Sequence, residues 1–237
     1  MYEKKYYIGS NDIDQFLDLK LPSFFRMMQD ISTEHAEILH IGKADTLDKN
    51  LYWVITRMEV DIIRMPKYLS TVTLKTYPGD DMRFIFPRYF QLEDENGEVI
   101  LKASSTWMVL NRETHRVCLN PFGGYKAPTE HLEGELELPK KCVTGETTLV
   151  EERKVRYSDI DLNGHLNNTK YIDYIIDTHN SAFYKKNAIK HFLINYDKEL
   201  LDDSVLNLFS NHSNPEYIKG EVNNELAFEV NITYRDR

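Results

Sequence analysis

With 237 residues, 41% hydrophobic and 28% charged, the chain has the composition of an ordinary soluble globular protein, large enough for one big domain or two small ones. Its net charge of −9 argues against broad nucleic-acid binding, which relies on Lys and Arg to neutralise phosphates. The opening residues Met1 to Ile8 lack an apolar signal core, and no stretch approaches the roughly 18 apolar residues of a membrane span, so a cytoplasmic protein without a span is expected.

In chain order, an opening strand around Tyr6-Tyr7-Ile8 precedes a long helix that begins near Pro22 and continues towards Leu39. Phe24, Met28, Ile31, His35 and Leu39 mark one face of that helix, and Pro22 suits its first turn. Strands rich in β-branched and aromatic residues follow at Tyr52 to Ile63 and Ser70 to Tyr77. Two more, Phe84 to Leu92 and Val99 to Leu110, flank the turn Asp94-Glu95-Asn96-Gly97. Asn120 to Glu146 is rich in Pro, Gly and Glu and reads as a linker. The order then recurs: a strand over Thr148 to Tyr157, a helix from Asn168 to about Tyr184, and strands at His191 to Leu201, Ser204 to Asn211, Tyr217 to Val222 and Glu225 to Tyr234. The predicted organisation is an α+β chain with units over 1–120 and 148–237 joined by 121–147, each wrapping an antiparallel sheet around a central amphipathic helix.

The chemistry concentrates just before the second helix. Asp161, Asn163 and His165 alternate with Leu162 and Gly164, so in an extended or looping stretch their side chains lean the same way. Asn167 or Asn168 is available as N-cap, and the free amides and positive dipole end of the helix favour developing negative charge, such as the oxyanion of an attacked carbonyl. The plainer alternative is an Asx-turn and cap. A calcium loop starting at Asp159 fails, because its twelfth position is Lys170 rather than Glu. Before the first helix stands Asp18-Leu19-Lys20-Leu21-Pro22, without Asn or His, so one active site per chain is expected. The first unit, with Phe24, Phe25, Met27 and Met28 on its helix and Trp53 and Trp107 on its strands, is left to line an apolar pocket or simply to fill a core.

Cys118 and Cys142 are too few for a disulfide scaffold and lack Cys-x-x-Cys spacing. The eight histidines are scattered without a His-Glu-x-x-His pair, so neither a metal nor a cofactor is expected. Lys185, Lys186 and Lys190 form a local basic patch, either a solvated helix end or a docking point.

Two sets of residues together carry a resemblance. Asp159-Ile160-Asp161-Leu162-Asn163-Gly164-His165-Leu166-Asn167-Asn168-Thr169-Lys170-Tyr171 resembles the signature of the acyl-acyl carrier protein thioesterases of plant plastids and bacteria. Asn50 to Met58 and Ala103-Ser104-Ser105-Thr106-Trp107 resemble first-half motifs of the same family. The resemblance implies two tandem hot dog units and hydrolysis of a fatty acyl thioester from its carrier. It puts the catalytic Asp, Asn and His on Asp161, Asn163 and His165, and a fourth group, a strand Glu, on Glu199. Plant members often carry a Cys directly after that Glu; here Leu200 stands there, so a cysteine acyl-enzyme at that position is impossible. The plant transit peptide has no counterpart, as expected of a bacterial cytoplasmic enzyme.

On this reading Glu199 and His165 activate water, Asn163 holds the water or the thioester, and Asp161 fixes the loop, with backbone amides near Gly164 to Asn167 binding the oxyanion. Direct attack by Asp161 or Glu199 to form an anhydride is the alternative chemistry. Met28, Trp53 and Trp107 are the expected acyl-contacting residues. The expected partner is acylated carrier protein, usually acidic, docking on Arg153, Lys154, Arg156, Lys185, Lys186 and Lys190, with the enzyme a monomer or homodimer. A coenzyme A thioesterase and a non-catalytic acyl-binding module are the rivals.

Overall fold

The computed structural model describes residues 1–80 and 82–237. The chain divides into two compact units, Met1–Pro139 and Lys140–Arg237. The division falls inside the stretch read as a linker, for a visible reason. Lys102 Nζ donates to the Gly134 carbonyl at 2.5 Å and Ser104 Oγ to the Glu137 carbonyl at 2.6 Å, tying that side to the first unit. Val143 N donates to Asn231 Oδ1 at 2.7 Å, tying the other side to the second.

In the first unit, β1 (Tyr2–Tyr7) and α1 (Leu21–Ile38) precede a short α2 (Lys43–Leu47) and then β2 (Leu51–Ile62), β3 (Thr71–Pro78), β4 (Phe86–Glu93) and β5 (Val99–Asn111). The strands lie in the order β1-β3-β4-β5-β2, every neighbouring pair antiparallel. Phe24, Met28, Ile31 and His35 are all buried, so the apolar stripe read from the sequence is the face that α1 turns inward, except at its last member: Leu39 is the C-cap beyond the helix and only half-buried. On β3, buried Val72, Leu74 and Thr76 alternate with less buried Thr73 and Lys75, the period-2 pattern of a sheet with one face covered. The turn between β4 and β5 is set by Asp94, whose Oδ1 accepts from the amides of Asn96 and Glu98 at 2.9 Å each, with Gly97 at φ 79°.

The second unit holds β6 (Thr148–Lys154), a 3-10 turn (Tyr157–Asp159), α3 (Asn168–Ile176), α4 (Ser181–Tyr184), β7 (Asn187–Tyr196), β8 (Val205–Ser210), β9 (Glu216–Val222) and β10 (Glu225–Asp236). Its order, β6-β8-β9-β10-β7, is the permutation of the first unit repeated. The sequence-predicted helix to Tyr184 is in fact broken at Ile176. Asn180 takes an extended backbone (φ −92°, ψ 173°) and its side chain caps α4 through the Phe183 amide at 3.1 Å, the alternative to continued helix that Asn favours. The strand expected over His191 to Leu201 is displaced, running from Asn187 to Tyr196. It ends where the amides of Asp197 and Lys198 both turn to the Ala227 carbonyl, at 2.9 and 3.0 Å. Glu199 is therefore a loop residue, not a strand residue.

The second sheet depends on one close approach. A Cβ on Gly220 would lie 2.2 Å from Cε1 of Phe228, its cross-strand partner, and Phe228 is fully buried. That ring in turn meets Tyr171 of α3 edge-on at 5.3 Å. Gly220→Ala is expected to destabilise the fold by about 1–3 kcal/mol, since the ring has no open side to move into. Chemical denaturation checks this, and an unchanged midpoint would show that the ring repacks freely.

Candidate active site

The loop from Arg156 to Asn168 is pinned at both ends. Asp159 Oδ2 accepts from the Arg156 amide at 3.1 Å and from the Tyr174 hydroxyl at 2.6 Å, so this carboxylate serves the turn rather than any chemistry. Asn167 is the N-cap of α3, its Oδ1 accepting from the Thr169 amide at 2.9 Å. Between them a tight turn closes through Gly164 N to Asp161 O at 3.1 Å and Asp161 N to His165 O at 2.8 Å, with Gly164 at φ 85°, where a side chain would be strained. Asp161 Oδ1 accepts from the Asn163 amide at 2.7 Å and the His165 amide at 3.3 Å, so the Asx-turn is present and Asp161 holds the loop's shape. Asp161, Asn163 and His165 are half-buried while Leu162 and Gly164 are exposed, the alternation that the spacing predicts.

Glu199 reaches this loop from the far side of the unit's sequence. Leu166 N donates to Leu200 O at 2.7 Å, Tyr171 hydroxyl to Lys198 O at 3.4 Å, and Tyr196 hydroxyl to Asn168 O at 3.3 Å. These three bonds flank the pair they align: His165 Nε2 stands 3.3 Å from Glu199 Oε2. The His165 and Glu199 side chains are 22% and 34% exposed, shielded yet open to an incoming molecule. Tyr171 and Tyr196 meet edge to face at 5.3 Å, and burial raises both phenol pKa values, so they remain neutral donors. Tyr171 closes the stretch that carries the family resemblance. Its role as a strut under Lys198 needed the fold.

The expectation for the oxyanion is corrected. The amides of Gly164, His165, Leu166 and Asn167 are all donated within the protein, to Asp161 O, Asp161 Oδ1, Leu200 O and Asp159 O. Each tightens the loop, and none is left for a substrate. The amide of Asn168, in the first turn of α3, has no partner among the described residues and sits at the positive end of the helix. Nor is Cys142 a nucleophile in waiting. It is buried with Sγ 3.4 Å from the Glu229 carbonyl, and burial pushes its thiol up to about 12.

Met28, Trp53 and Trp107 belong to the first unit. Met28 is fully buried on α1. Trp53 donates from Nε1 to the Ile41 carbonyl at 2.7 Å and stacks on Phe122 at 5.6 Å, while Trp107 donates to Ser105 Oγ at 2.9 Å. The pairing of Ile55 with Trp107 and of Trp53 with Val109 puts the two indoles on one face of β2 and β5. Among the proposed carrier contacts, Arg153 is engaged with Glu151 at 2.9 Å and Asp177 at 3.0 Å, and Lys154 with Asp203 at 2.7 Å. Arg156, Lys185, Lys186 and Lys190 are exposed. No helix among the described residues is long and apolar enough to cross a membrane.

Against known proteins, the acyl-ACP (acyl carrier protein) thioesterase N-terminal domain matches residues 1–120 and the acyl-ACP thioesterase C-terminal domain matches residues 144–236. Palmitoyl-acyl carrier protein thioesterase of Arabidopsis thaliana, a chloroplast protein, is 27% identical over 87% of this chain and 54% of its own length. Dodecanoyl-[acyl-carrier-protein] hydrolase of Cinnamomum camphora is 25% identical over 87% of the chain and 58% of its own. The chain thus spans little more than half the length of these relatives. An acyl-ACP thioesterase structure from Bacteroides thetaiotaomicron superposes at a TM-score of 0.88 with 22% identity, covering 99% of this chain and 97% of the other. The 12:0-ACP thioesterase of Umbellularia californica gives 0.86 and 20%, covering 100% and 97%. The fold is α+β, two tandem hot dog units, each an antiparallel sheet with its central helix.

Proposed function

Since this chain belongs to the acyl-ACP thioesterase family, we propose that it hydrolyses the thioester of a fatty acyl group on acyl carrier protein, releasing the free acid and ending chain elongation. The observation that carries the proposal is the His165–Glu199 pair at 3.3 Å beside the start of α3, in the unit that matches the family's C-terminal domain. Glu199 and His165 together orient a water and take its proton. Asn163 positions the water or the thioester carbonyl, and Asp161 keeps Asn163 and His165 in register through their amides. The oxyanion falls to the Asn168 amide and the helix dipole. Met28, Trp53 and Trp107 contact the acyl chain in the first unit, so 1–120 supplies the pocket and 148–237 the catalysis. A cytoplasmic location completes the proposal, and cell fractionation checks it.

The test compares one acyl chain carried by acyl carrier protein and by coenzyme A. Faster hydrolysis from the protein carrier supports the reading; preference for coenzyme A overturns the substrate; binding without turnover overturns the enzyme. Single-turnover hydrolysis in labelled water is expected to leave the enzyme's carboxylates unlabelled, and label in Asp161 or Glu199 would establish the anhydride route. Because carrier and enzyme are both acidic, docking relies on local cations such as Arg156, Lys185, Lys186 and Lys190. Raising ionic strength about tenfold is expected to lower kcat/KM several-fold on the carrier-bound substrate and to change coenzyme A thioester hydrolysis far less. Equal salt responses would remove this docking face.

A further inference from the structure

At the other end of α3 from the catalytic loop lies a second polar cluster that thioester hydrolysis does not use. His179 follows α3, His212 lies in the turn between β8 and β9, and Glu216 opens β9. One nitrogen from each imidazole and a carboxylate oxygen lie within 4.8 Å of one another. His179 Nε2 stands 2.8 Å from Glu216 Oε2, and His212 Nδ1 stands 3.6 Å from Glu216 Oε1. We propose that His179, His212 and Glu216 bind a divalent transition-metal ion of the zinc class, a site separate from the catalytic pair.

The donor set is the first support. The Glu216 carboxylate is 1% exposed, and besides His179 Nε2 it accepts from the neutral hydroxyls of Ser210 and Tyr234. A buried carboxylate flanked by two imidazoles, with one donor atom from each within 4.8 Å of the others, is a set that a divalent ion can bridge. The hydrogen bonds from Ser210 Oγ and from Tyr234, at 2.7 Å, hold the carboxylate as ligating carboxylates are held in metal proteins.

Pre-organisation is the second. The His179 ring lies flat on Phe183 at 3.8 Å and 8°, which fixes its plane. The His212 amide donates to Ser210 Oγ at 2.8 Å, and Asn214 seals the same turn to β10 through the Tyr234 amide at 3.0 Å and carbonyl at 3.1 Å. Side-chain rotation can bring three donor atoms lying within 4.8 Å of one another to about 2.0–2.2 Å from one ion. His212, with a side chain 49% exposed, leaves an entry path. Two imidazoles and one carboxylate suit zinc, cobalt or nickel rather than magnesium or calcium, which favour all-oxygen sets. The ion would clamp the segment after α3 to the β8–β9 turn.

The whole chain, stripped with chelator, is titrated with Zn2+ by calorimetry and with Co2+ by visible absorbance. One equivalent per chain is expected, with cobalt ligand-field bands and a rise in Tm on adding Zn2+. His212→Ala removes a half-exposed side chain, so its metal-free Tm should match wild type while zinc affinity falls by at least about tenfold. His179→Gln should weaken binding in the same way. No saturable one-equivalent binding by wild type would overturn the proposal and leave a hydrogen-bonded His–Glu cluster. Binding of equal strength in His212→Ala would overturn it too, by placing the ion elsewhere.

Discussion

Replacing Glu199 by Gln, or His165 by Ala, is expected to lower kcat on an acyl-carrier substrate by about 100-fold or more, with KM little changed and the fold intact. Two features separate the chemical loss from a structural one. The loop is held by backbone bonds such as Leu166 N to Leu200 O at 2.7 Å, which neither substitution touches. The His165–Glu199 contact itself joins side chains 22% and 34% exposed, and a pair that open to water contributes only about 1 kcal/mol or less to stability. Asp161 serves as the internal control. Asp161→Asn keeps an Oδ1 that can accept from the Asn163 and His165 amides, so the turn survives and only the charge is lost. Asp161→Ala releases both amides and should lower activity further by letting His165 drift. Steady-state rates, with circular dichroism and Tm on each variant, decide the matter. Near wild-type turnover in both Glu199→Gln and His165→Ala would remove the pair from the mechanism.

How much of this could be read in advance differs from element to element. α1 was legible because Phe24, Met28, Ile31 and His35 recur at helical spacing behind Pro22, and burial follows spacing directly. The Asp94–Gly97 turn was legible because an Asx acceptor and a residue free to take positive φ are local properties. The Asp161, Asn163, His165 alternation was local too, and the loop keeps it. What sequence spacing does not carry is contact between distant segments. Glu199 came forward through resemblance alone, and it lies past the end of β7 because Asp197 and Lys198 leave the ladder for one carbonyl. The use of the loop amides could not be read, since their acceptors at Asp159 and Leu200 are fixed only in the folded chain. His179, His212 and Glu216 looked scattered for the same reason. Local polarity likewise concealed the end of α3, where Asn180 prefers capping a new turn to extending the old one.

A different kind of residue, a buried Arg with no carboxylate partner among the described residues, sets the expected response to acid. Arg88 on β4 is 8% exposed, and its Nη1 donates to Thr76 Oγ1 and His35 Nδ1, each at 3.1 Å. Burial lowers its pKa to about 10, so it remains a cation at neutral pH. His35 must then be neutral. Protonation would set an N–H against an N–H and one positive charge against another. Burial first, then Arg88 and the Met1 amino group, bring its pKa down from 6.5 to about 4, with Glu130 pulling weakly the other way. Tyr2 stacks on the imidazole at 5.6 Å and leaves it little room to move away. The sign follows from which state takes the proton. Between pH 6.5 and about 4 the unfolded chain protonates His35 and the native chain does not, so stability falls as pH drops through that window and levels off below it for this group. The loss amounts to on the order of 3 kcal/mol between about pH 7.5 and about pH 4. His35→Gln keeps an acceptor for Arg88 and cannot titrate. Denaturation midpoints of this variant should therefore change less with acid than those of wild type, by about that amount. Parallel pH curves for the two proteins would mean that His35 takes up its proton in the native state without penalty, and that the Arg88 charge is screened by something other than a neutral imidazole.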